Sequence, residues 1–156
     1  MHVIQKTIRE LITAEQAPVV AADDTAAAAI DLIARTGAGA VLVCDQERLI
    51  GIFTVRDVLD RVAAAGRNPQ TTRMPEVMTA QPHSLHLDDC VTYAINAMAV
   101  YGITNIPVLD CEQRVAGLLG AHQIMGHISD LFAALEDPGT DSNQYELDGW
   151  IDIGGG

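Results

Sequence analysis

The sequence of 156 residues predicts an α+β fold made of two copies of one β-α-β-β-α unit. The first observation behind this prediction is internal repetition, because DDTAAAAIDLIARTGAGAVLVCDQERLIGIFTVRD at 23–57 is answered by DDCVTYAINAMAVYGITNIPVLDCEQRVAGLLGAHQ at 88–123. Matching positions lie 65 residues apart, and one extra residue after Asp110 makes the spacing 66. The second observation is that both copies show the same order of helix and strand patterns. Such a period indicates units that bury their apolar faces against each other.

Each copy opens with a helix. Acidic or capping residues at 23–25 and 87–89 precede apolar residues spaced by three and four, and Gly37 and Gly102 follow as helix stops. The residues expected to face the core are Ala26, Ala29, Ile30 and Ile33 in the first copy, and Val91, Ala94, Ile95 and Met98 in the second.

Two strands and a second helix complete each copy. The strands are predicted at 40–43 and 49–53 in the first copy and at 105–109 and 115–119 in the second, joined by turns at 45–47 and 110–112. The second helices are predicted at 55–65 and 121–135. A short extended piece after a proline, at 18–20 or 82–84, precedes each unit.

Composition and charge exclude several classes of function. The net charge of −12 argues against a nucleic-acid partner, which favours a basic face. No apolar stretch reaches the length of about 18 residues that a membrane span needs, and the N-terminus lacks a signal-peptide pattern, so a cytoplasmic protein is expected. The three cysteines and five histidines show no metal-ligand spacing, so no metal site is predicted.

Four segments carry a resemblance to a known family. They are ELITAEQAP at 10–18, LIGIFTVRDVL at 49–59, EVMTAQP at 76–82 and GITNIPVLD at 102–110. Together they resemble a tandem pair of CBS domains, the modules named after cystathionine β-synthase, over about residues 7–130. The resemblance implies two repeats related by a pseudo-two-fold axis. The expected units are repeat 1 at 1–66, repeat 2 at 67–136 with a linker at 67–75, and a tail at 137–156.

The pair Thr54 and Asp57 is the leading candidate for ligand recognition. A hydroxyl at a strand end and a carboxylate three residues later project towards one place on an exposed first helical turn, and a carboxylate can accept hydrogen bonds from ribose hydroxyls. In CBS modules this Thr-x-x-Asp is similar to the adenosine-binding motif. The alternative is that Thr-x-x-Asp only caps a helix.

The resemblance also implies the remainder of the site, which combines this motif with the lead-in segment and first strand of the other copy. The expected ligand-binding residues are Thr54, Arg56, Asp57, Gln81, Pro82, His83, Ile103, Thr104, Ala38, Gly39 and Ala40. Arg61, Arg67 and Arg73 are interpreted as a solvated helix end and linker. The second copy has Gly120-Ala121-His122-Gln123 in place of Thr-x-x-Asp, so one competent site and one degenerate site are expected.

No catalytic motif is recognisable, so the sequence predicts a non-catalytic regulatory module. Its expected ligand is AMP, ADP, ATP or S-adenosylmethionine, with no required cofactor. The alternative is a structural dimerisation module whose sites have decayed. A homodimer is expected through the small apolar helix faces at Ala26–Ala29 and Ala94–Ala97 with Met98.

The tail at 137–156 is acidic and rich in turn-forming residues, which is typical of disorder. The other interpretation is that Tyr145 and Trp150 belong to a docking segment for a regulated protein partner, because Trp is enriched at interfaces.

Overall fold

A computed structural model describes residues 6–12 and 17–135, and it confirms the α+β class and the two repeats. The tail with Tyr145 and Trp150 lies outside the described residues. In chain order the elements are a 3₁₀ turn Ile8–Glu10, β1 Val19–Ala21, α1 Ala26–Thr36, β2 Ala40–Asp45, β3 Arg48–Thr54, α2 Val55–Asp57 continued by a π turn Val58–Ala63, α3 Met74–Val77, β4 Thr79–Ala80, β5 Leu85–His86, α4 Val91–Tyr101, β6 Asn105–Leu109, β7 Val115–Gly120 and α5 Ala121–Leu135.

The strands form two sheets with the same internal logic. One has the order β1-β2-β3-β4 and the other β5-β6-β7. In each, the first strand runs parallel to the second and the second pairs antiparallel with the third. The register also shifts at equivalent points, between Val43 and Cys44 and between Val108 and Leu109. The repeat seen in the sequence is therefore a repeat of backbone structure.

The local rules locate the first helices closely. Thr25 caps α1 by accepting a hydrogen bond from the Ala28 N–H, and Gly37 and Gly102 end α1 and α4 with φ of 68° and 63°, a conformation that suits glycine. One core prediction for α4 is wrong, because Ile95 is 42% exposed while Ala97 is buried. The second extended piece is also displaced, since β5 spans Leu85–His86 rather than 82–84.

The segments that precede each repeat pack across the pair. Met74 and Val77 of α3 lie in the core of the first repeat, and Ile8 of the 3₁₀ turn lies in the core of the second. Two equivalent backbone bridges, Thr25 with Arg73 and Thr7 with Cys90, accompany these two exchanged segments, each of which packs in the core of the other repeat. Each repeat therefore completes its core with residues from ahead of the other repeat's first strand.

A third cluster joins the two sheets. Ala40, Leu42 and Ile52 of the first sheet are buried against Val115 and Leu118 of β7. The equivalent hairpin residues Arg48 and Arg114 meet in an antiparallel bridge, which marks the pseudo-two-fold axis. Clefts between the sheets on the two sides of this axis are therefore the places where both repeats can contribute to one site.

The small helix faces that suggested a dimer contact are turned inward. Ala26, Ala29, Ala94 and Ala97 are all buried within the chain's own cores. The exposed apolar side chains of α4 and α5 are instead Tyr93, Ile95, Val100, Tyr101, Met125, Phe132 and Leu135. Within residues 6–12 and 17–135, none of the helices has both the length and the hydropathy to span a membrane.

Candidate ligand cleft between the repeats

A cleft of about 660 Å³ opens between the two repeats at the end of β3. Its volume falls within the range of roughly 300–1,000 Å³ typical of small-molecule sites. The first repeat contributes Thr54 and the helical segment that follows it, and the second contributes the chain after β4 and the residues that lead into β6. The cleft is therefore the place where chemistry from both copies converges.

Thr54 and Asp57 form a reciprocal capping box at one wall of this cleft. The Asp57 N–H donates to Thr54 Oγ1 at 3.2 Å, and Asp57 Oδ2 accepts from the Thr54 N–H at 2.9 Å and from the Thr54 hydroxyl at 3.1 Å. The Asp57 side chain is only 13% exposed, so it does not lie on the exposed turn that the sequence suggested. Thr54 and Asp57 thus do cap the helix, and the carboxylate also borders the cleft.

Arg61 holds the other oxygen of the same carboxylate. Its Nε lies 3.3 Å from Asp57 Oδ1, and its Nη1 donates to the Val77 and Met78 carbonyl oxygens at 3.1 Å and 2.6 Å. Arg61 is 43% exposed, which agrees with its interpretation as a solvated helix-end residue, but its guanidinium also has defined partners that the sequence did not indicate. Arg67 and Arg73 also have partners, in Glu76 and the Asp23 carbonyl, whereas Arg56 is 87% exposed and pairs with Asp60.

The second repeat contributes an aromatic pair to the lining, and Asn105 makes a close approach to Gly39. The rings of His83 and Tyr101 are 5.1 Å apart at their centroids and tilted by 41°. At the inner end, a Cβ added to Gly39 would lie 2.9 Å from the Asn105 side chain. Gly39 and Asn105 border this cleft and a second one on the other side, so glycine at 39 leaves room for the amide that separates them.

The structure brings together eight of the eleven predicted site residues. Those lining the cleft are Gly39, Thr54, Arg56, Asp57, Pro82, His83, Ile103 and Thr104. Ala40 is fully buried between the two sheets, Ala38 lines the second cleft, and Gln81 lines a separate depression beside Arg48. Gln81 has a left-handed φ of 49°, so it does not continue the extended chain of β4.

Several lining residues were missed by the sequence reasoning, chiefly Arg61, Tyr101 and Asn105. Tyr101 directly precedes the predicted segment 102–110 and Asn105 lies within it next to Thr104, so a wider choice of site residues around Ile103 and Thr104 would have included both. The i, i+4 spacing of Arg61 from Asp57 could have indicated their pairing, but the contacts of Arg61 with Val77 and Met78 depend on tertiary packing.

The second cleft is smaller, about 360 Å³, and among the residues that the structure describes its lining includes no carboxylate. Gln123 occupies the position equivalent to Asp57 and its Oε1 accepts from the Gly120 N–H at 2.6 Å. The capping half of the motif is therefore retained in the second copy, while the charge is lost.

The cysteines differ in their chemistry. Burial raises the pKa of the Cys44 thiol, whereas a hydrogen bond from the Thr92 hydroxyl lowers the pKa of Cys90. Cys111 is exposed. Across residues 6–12 and 17–135, no three His, Cys, Asp or Glu side chains are grouped so that they could hold a metal ion.

Comparison with known proteins identifies the family. A model of the CBS domain matches this chain at residues 8–64 and again at 76–130. The chain belongs to the CBS-domain family, and it contains two such domains in tandem. The two matches confirm the resemblance that the repeated motifs suggested.

Two curated relatives share the family region. The chain is 35% identical over 113 residues to the meiotically up-regulated gene 70 protein of Schizosaccharomyces pombe, covering 72% of this chain and 16% of the relative. It is 32% identical over 108 residues to the arabinose 5-phosphate isomerase KdsD of Francisella tularensis, covering 69% of this chain and 33% of the relative. The chain thus spans a third or less of the length of these two relatives.

Solved structures show the same fold. A protein with CBS domains from Burkholderia ambifaria is 25% identical, with a TM-score of 0.70 over 90% of this chain and 96% of that chain. The CBS domain protein PAE2072 of Pyrobaculum aerophilum, solved with AMP, is 16% identical, with a TM-score of 0.73 over 82% and 99% of the chains. The CBS domain pair of protein MJ0100, solved with 5′-methylthioadenosine and S-adenosyl-L-methionine, is 22% identical, with a TM-score of 0.67 over 81% and 99%.

Proposed function

We propose that this chain is a non-catalytic regulatory module that binds one adenosine-type ligand in the cleft between its repeats. The observation that carries the proposal is the position of the Asp57 carboxylate, which borders a cleft lined by both copies and is fixed there by Thr54 and Arg61. A fixed carboxylate is a strong acceptor for a ribose hydroxyl, because hydrogen bonds to ionised groups are the strong ones.

The charge of the cleft favours a ligand of low charge. Arg56 and Arg61 are each paired with a carboxylate, Asp60 and Asp57, so the four groups sum to zero. The whole chain carries −12, which adds a repulsive field for polyanions. AMP and S-adenosylmethionine are therefore better candidates than ADP or ATP. These two compounds are chosen because two proteins of the same fold were solved in complex with AMP or with S-adenosyl-L-methionine.

The aromatic pair supplies a surface for the base. His83 and Tyr101 line the same cleft as Asp57, and a purine ring can stack on them. The apolar side chains of Ile52 and Ile103 complete the lining on which such a ring would rest.

The second candidate function is a dimerisation or interaction module without a ligand. It is favoured by the capping box, which gives Thr54 and Asp57 a structural role of their own, and by the exposed apolar side chains of α4 and α5. In this alternative the motif residues serve only to cap a helix, as Gln123 does in the second copy without a charge.

A thermal-shift and calorimetric screen against AMP, ADP, ATP, S-adenosylmethionine and NADH separates the two candidates. We expect a stabilising ligand that binds once per chain, with Gln123→Ala binding as the wild type does. No stabilisation by any of the five compounds would favour the interaction module.

A further inference from the structure

Arg61 connects the candidate ligand cleft to the chain that joins the repeats. One guanidinium contacts Asp57 Oδ1 through Nε and the Val77 and Met78 carbonyl oxygens through Nη1. These carbonyls lie where α3 ends and β4 is about to begin. The contact therefore joins the helical segment that follows Thr54 to the short piece of chain that precedes β4.

The segment held by Arg61 leads directly into β4. This strand pairs antiparallel with β3, Ala80 opposite Gly51 and Thr79 opposite Ile52, and the Gln81 N–H then donates to the Ile50 carbonyl at 3.1 Å. Pro82 and His83 follow at once and line the cleft. The carbonyls held by Arg61 thus lie one to two residues before the pairing of β4 with β3.

The acceptor capacity of Asp57 is nearly filled before any ligand binds. A carboxylate has about four lone-pair sites. Both sites of Oδ2 are taken by the Thr54 N–H and hydroxyl, and one site of Oδ1 faces Arg61 Nε. A ligand hydroxyl must then bind Oδ1 beside the guanidinium, and a second hydroxyl must compete with Arg61 or Thr54 for an oxygen.

The second copy lacks this connection. With the spacing of 66 residues, Asp57 corresponds to Gln123 and Arg61 corresponds to His127. His127 Nε2 is buried and has no hydrogen-bond partner among the residues that the structure describes. The carboxylate and the guanidinium have been replaced together, as expected if they act as one unit.

We propose that Arg61 is a positioning residue that fixes the Asp57 carboxylate for the ligand and transmits occupancy of the cleft to β4. The proposal rests on the proposed function for its ligand, and it adds how binding is communicated between the repeats. The signal that reaches β4 is a change in the strength of the Arg61 contact with the Val77 and Met78 carbonyl oxygens. The size of this change depends on how strongly the ligand hydrogen-bonds to Asp57 Oδ1.

The test measures hydrogen exchange of the Gln81 amide, together with AMP and S-adenosylmethionine titrations, in Arg61→Met, Asp57→Asn and the wild type. The control is Arg35→Met, which removes another Arg–Asp pair at the same i, i+4 spacing, on α1, away from the cleft. Without ligand, both cleft variants should exchange Gln81 several-fold faster than the control. Asp57→Asn keeps the size of the side chain, so it reports on the relay even if Arg61→Met does not fold.

With ligand, Arg61→Met should bind about tenfold more weakly or worse, on the scale of one charge-assisted hydrogen bond. At saturation, the ligand should change the Gln81 exchange rate in the wild type and not in Arg61→Met, relative to the Val108 amide in the second sheet. An Arg61→Met protein that is less stable but binds within twofold of the wild type would overturn the proposal.

The two failures are distinguishable. If neither compound binds the wild type, the proposed function fails for these ligands and the exchange measurement alone decides the relay. Unchanged Gln81 exchange in Asp57→Asn would then overturn the link between the carboxylate and β4, whereas faster exchange would support it.

Discussion

At the scale of single residues, Asp57 has two roles that draw on one carboxylate. Oδ2 completes the helix cap with Thr54, and Oδ1 faces Arg61 and the cleft. The second copy separates the roles, because Gln123 makes the equivalent cap without a charge. A sequence motif of this kind is therefore ambiguous by nature, since the residues that cap the helix are also those that a ribose would contact.

Removing the carboxylate should affect stability and binding by different amounts. We expect Asp57→Ala to lower the free energy of unfolding by about 1 kcal/mol, the usual value of a cap. It should also weaken AMP or S-adenosylmethionine binding by about 1.5–3 kcal/mol, the scale of a charged hydrogen bond. Denaturant unfolding and calorimetry measure the two losses. Gln123→Ala should leave affinity unchanged, and a stability loss with intact affinity in Asp57→Ala would show that Asp57 is only a cap.

The cysteines offer a second prediction at this scale. The hydrogen bond from Thr92 lowers the pKa of Cys90, so its thiolate fraction is larger at a given pH, while burial raises the pKa of Cys44 and shields it. Alkylation by iodoacetamide, followed residue by residue by mass spectrometry, should modify Cys90 at lower pH than it modifies free cysteine and leave Cys44 unmodified in the folded protein. Thr92→Val should move the Cys90 profile to higher pH, and an unmoved profile would contradict the assignment.

At the scale of elements, the helices and strands with strong local signals were predictable. The bounds of α1 and α4 follow from the capping region and from Gly37 and Gly102, and β6 spans the predicted residues. The elements that were missed, the 3₁₀ turn, α3 and β4, span only two to four residues each. They are too short to show a period, and tertiary contacts with the other repeat hold them.

The same reason separates the predicted and unpredicted parts of the site. Thr54 and Asp57 lie three residues apart, so their relation can be read along the chain, whereas Arg61 meets Val77 and Met78 at a separation of 16 and 17 residues. His83 meets Tyr101 across a similar interval of sequence. These contacts depend on the packing of β4 against β3, which the sequence pattern did not indicate.

The exchanged segments lead to a prediction about cooperativity. Ile8 and Met74 are fully buried. Ile8, which precedes β1, lies in the core of the second repeat, and Met74, which precedes β5, lies in the core of the first. Truncating a side chain of this size to alanine in a core typically costs about 2–5 kcal/mol. We expect Ile8→Ala and Met74→Ala each to destabilise both repeats together, giving one transition in calorimetry. Two separated transitions would contradict the interlocked architecture.

At the scale of the whole molecule, two sheets packed through β7 leave the outer helices partly uncovered. Ala40, Leu42 and Ile52 are buried where the two sheets face each other. Several apolar side chains of α4 and α5 are exposed on the outer side of the pair. Tyr93 and Val100 lie seven residues apart on α4, as do Met125 and Phe132 on α5, so each pair occupies one face of its helix. Exposed apolar faces of this kind mark interaction surfaces.

The homodimer expected from the sequence can therefore be tested on a different surface from the one first considered. Val100 and Phe132 are 65% and 63% exposed, so a glutamate at either position removes apolar contact without disturbing a core. We expect light scattering of the wild-type chain at micromolar concentration to give twice its mass of 16.6 kDa. The double variant Val100→Glu and Phe132→Glu should give the mass of one chain, with little change in melting temperature. The matched control is Arg35→Glu on α1, which adds negative charge to a helix outside these faces and should leave the dimer intact. A wild-type chain that is monomeric would leave the outer faces of α4 and α5 available to a different protein, and a dimer that survives both glutamates would place the contact on other helices.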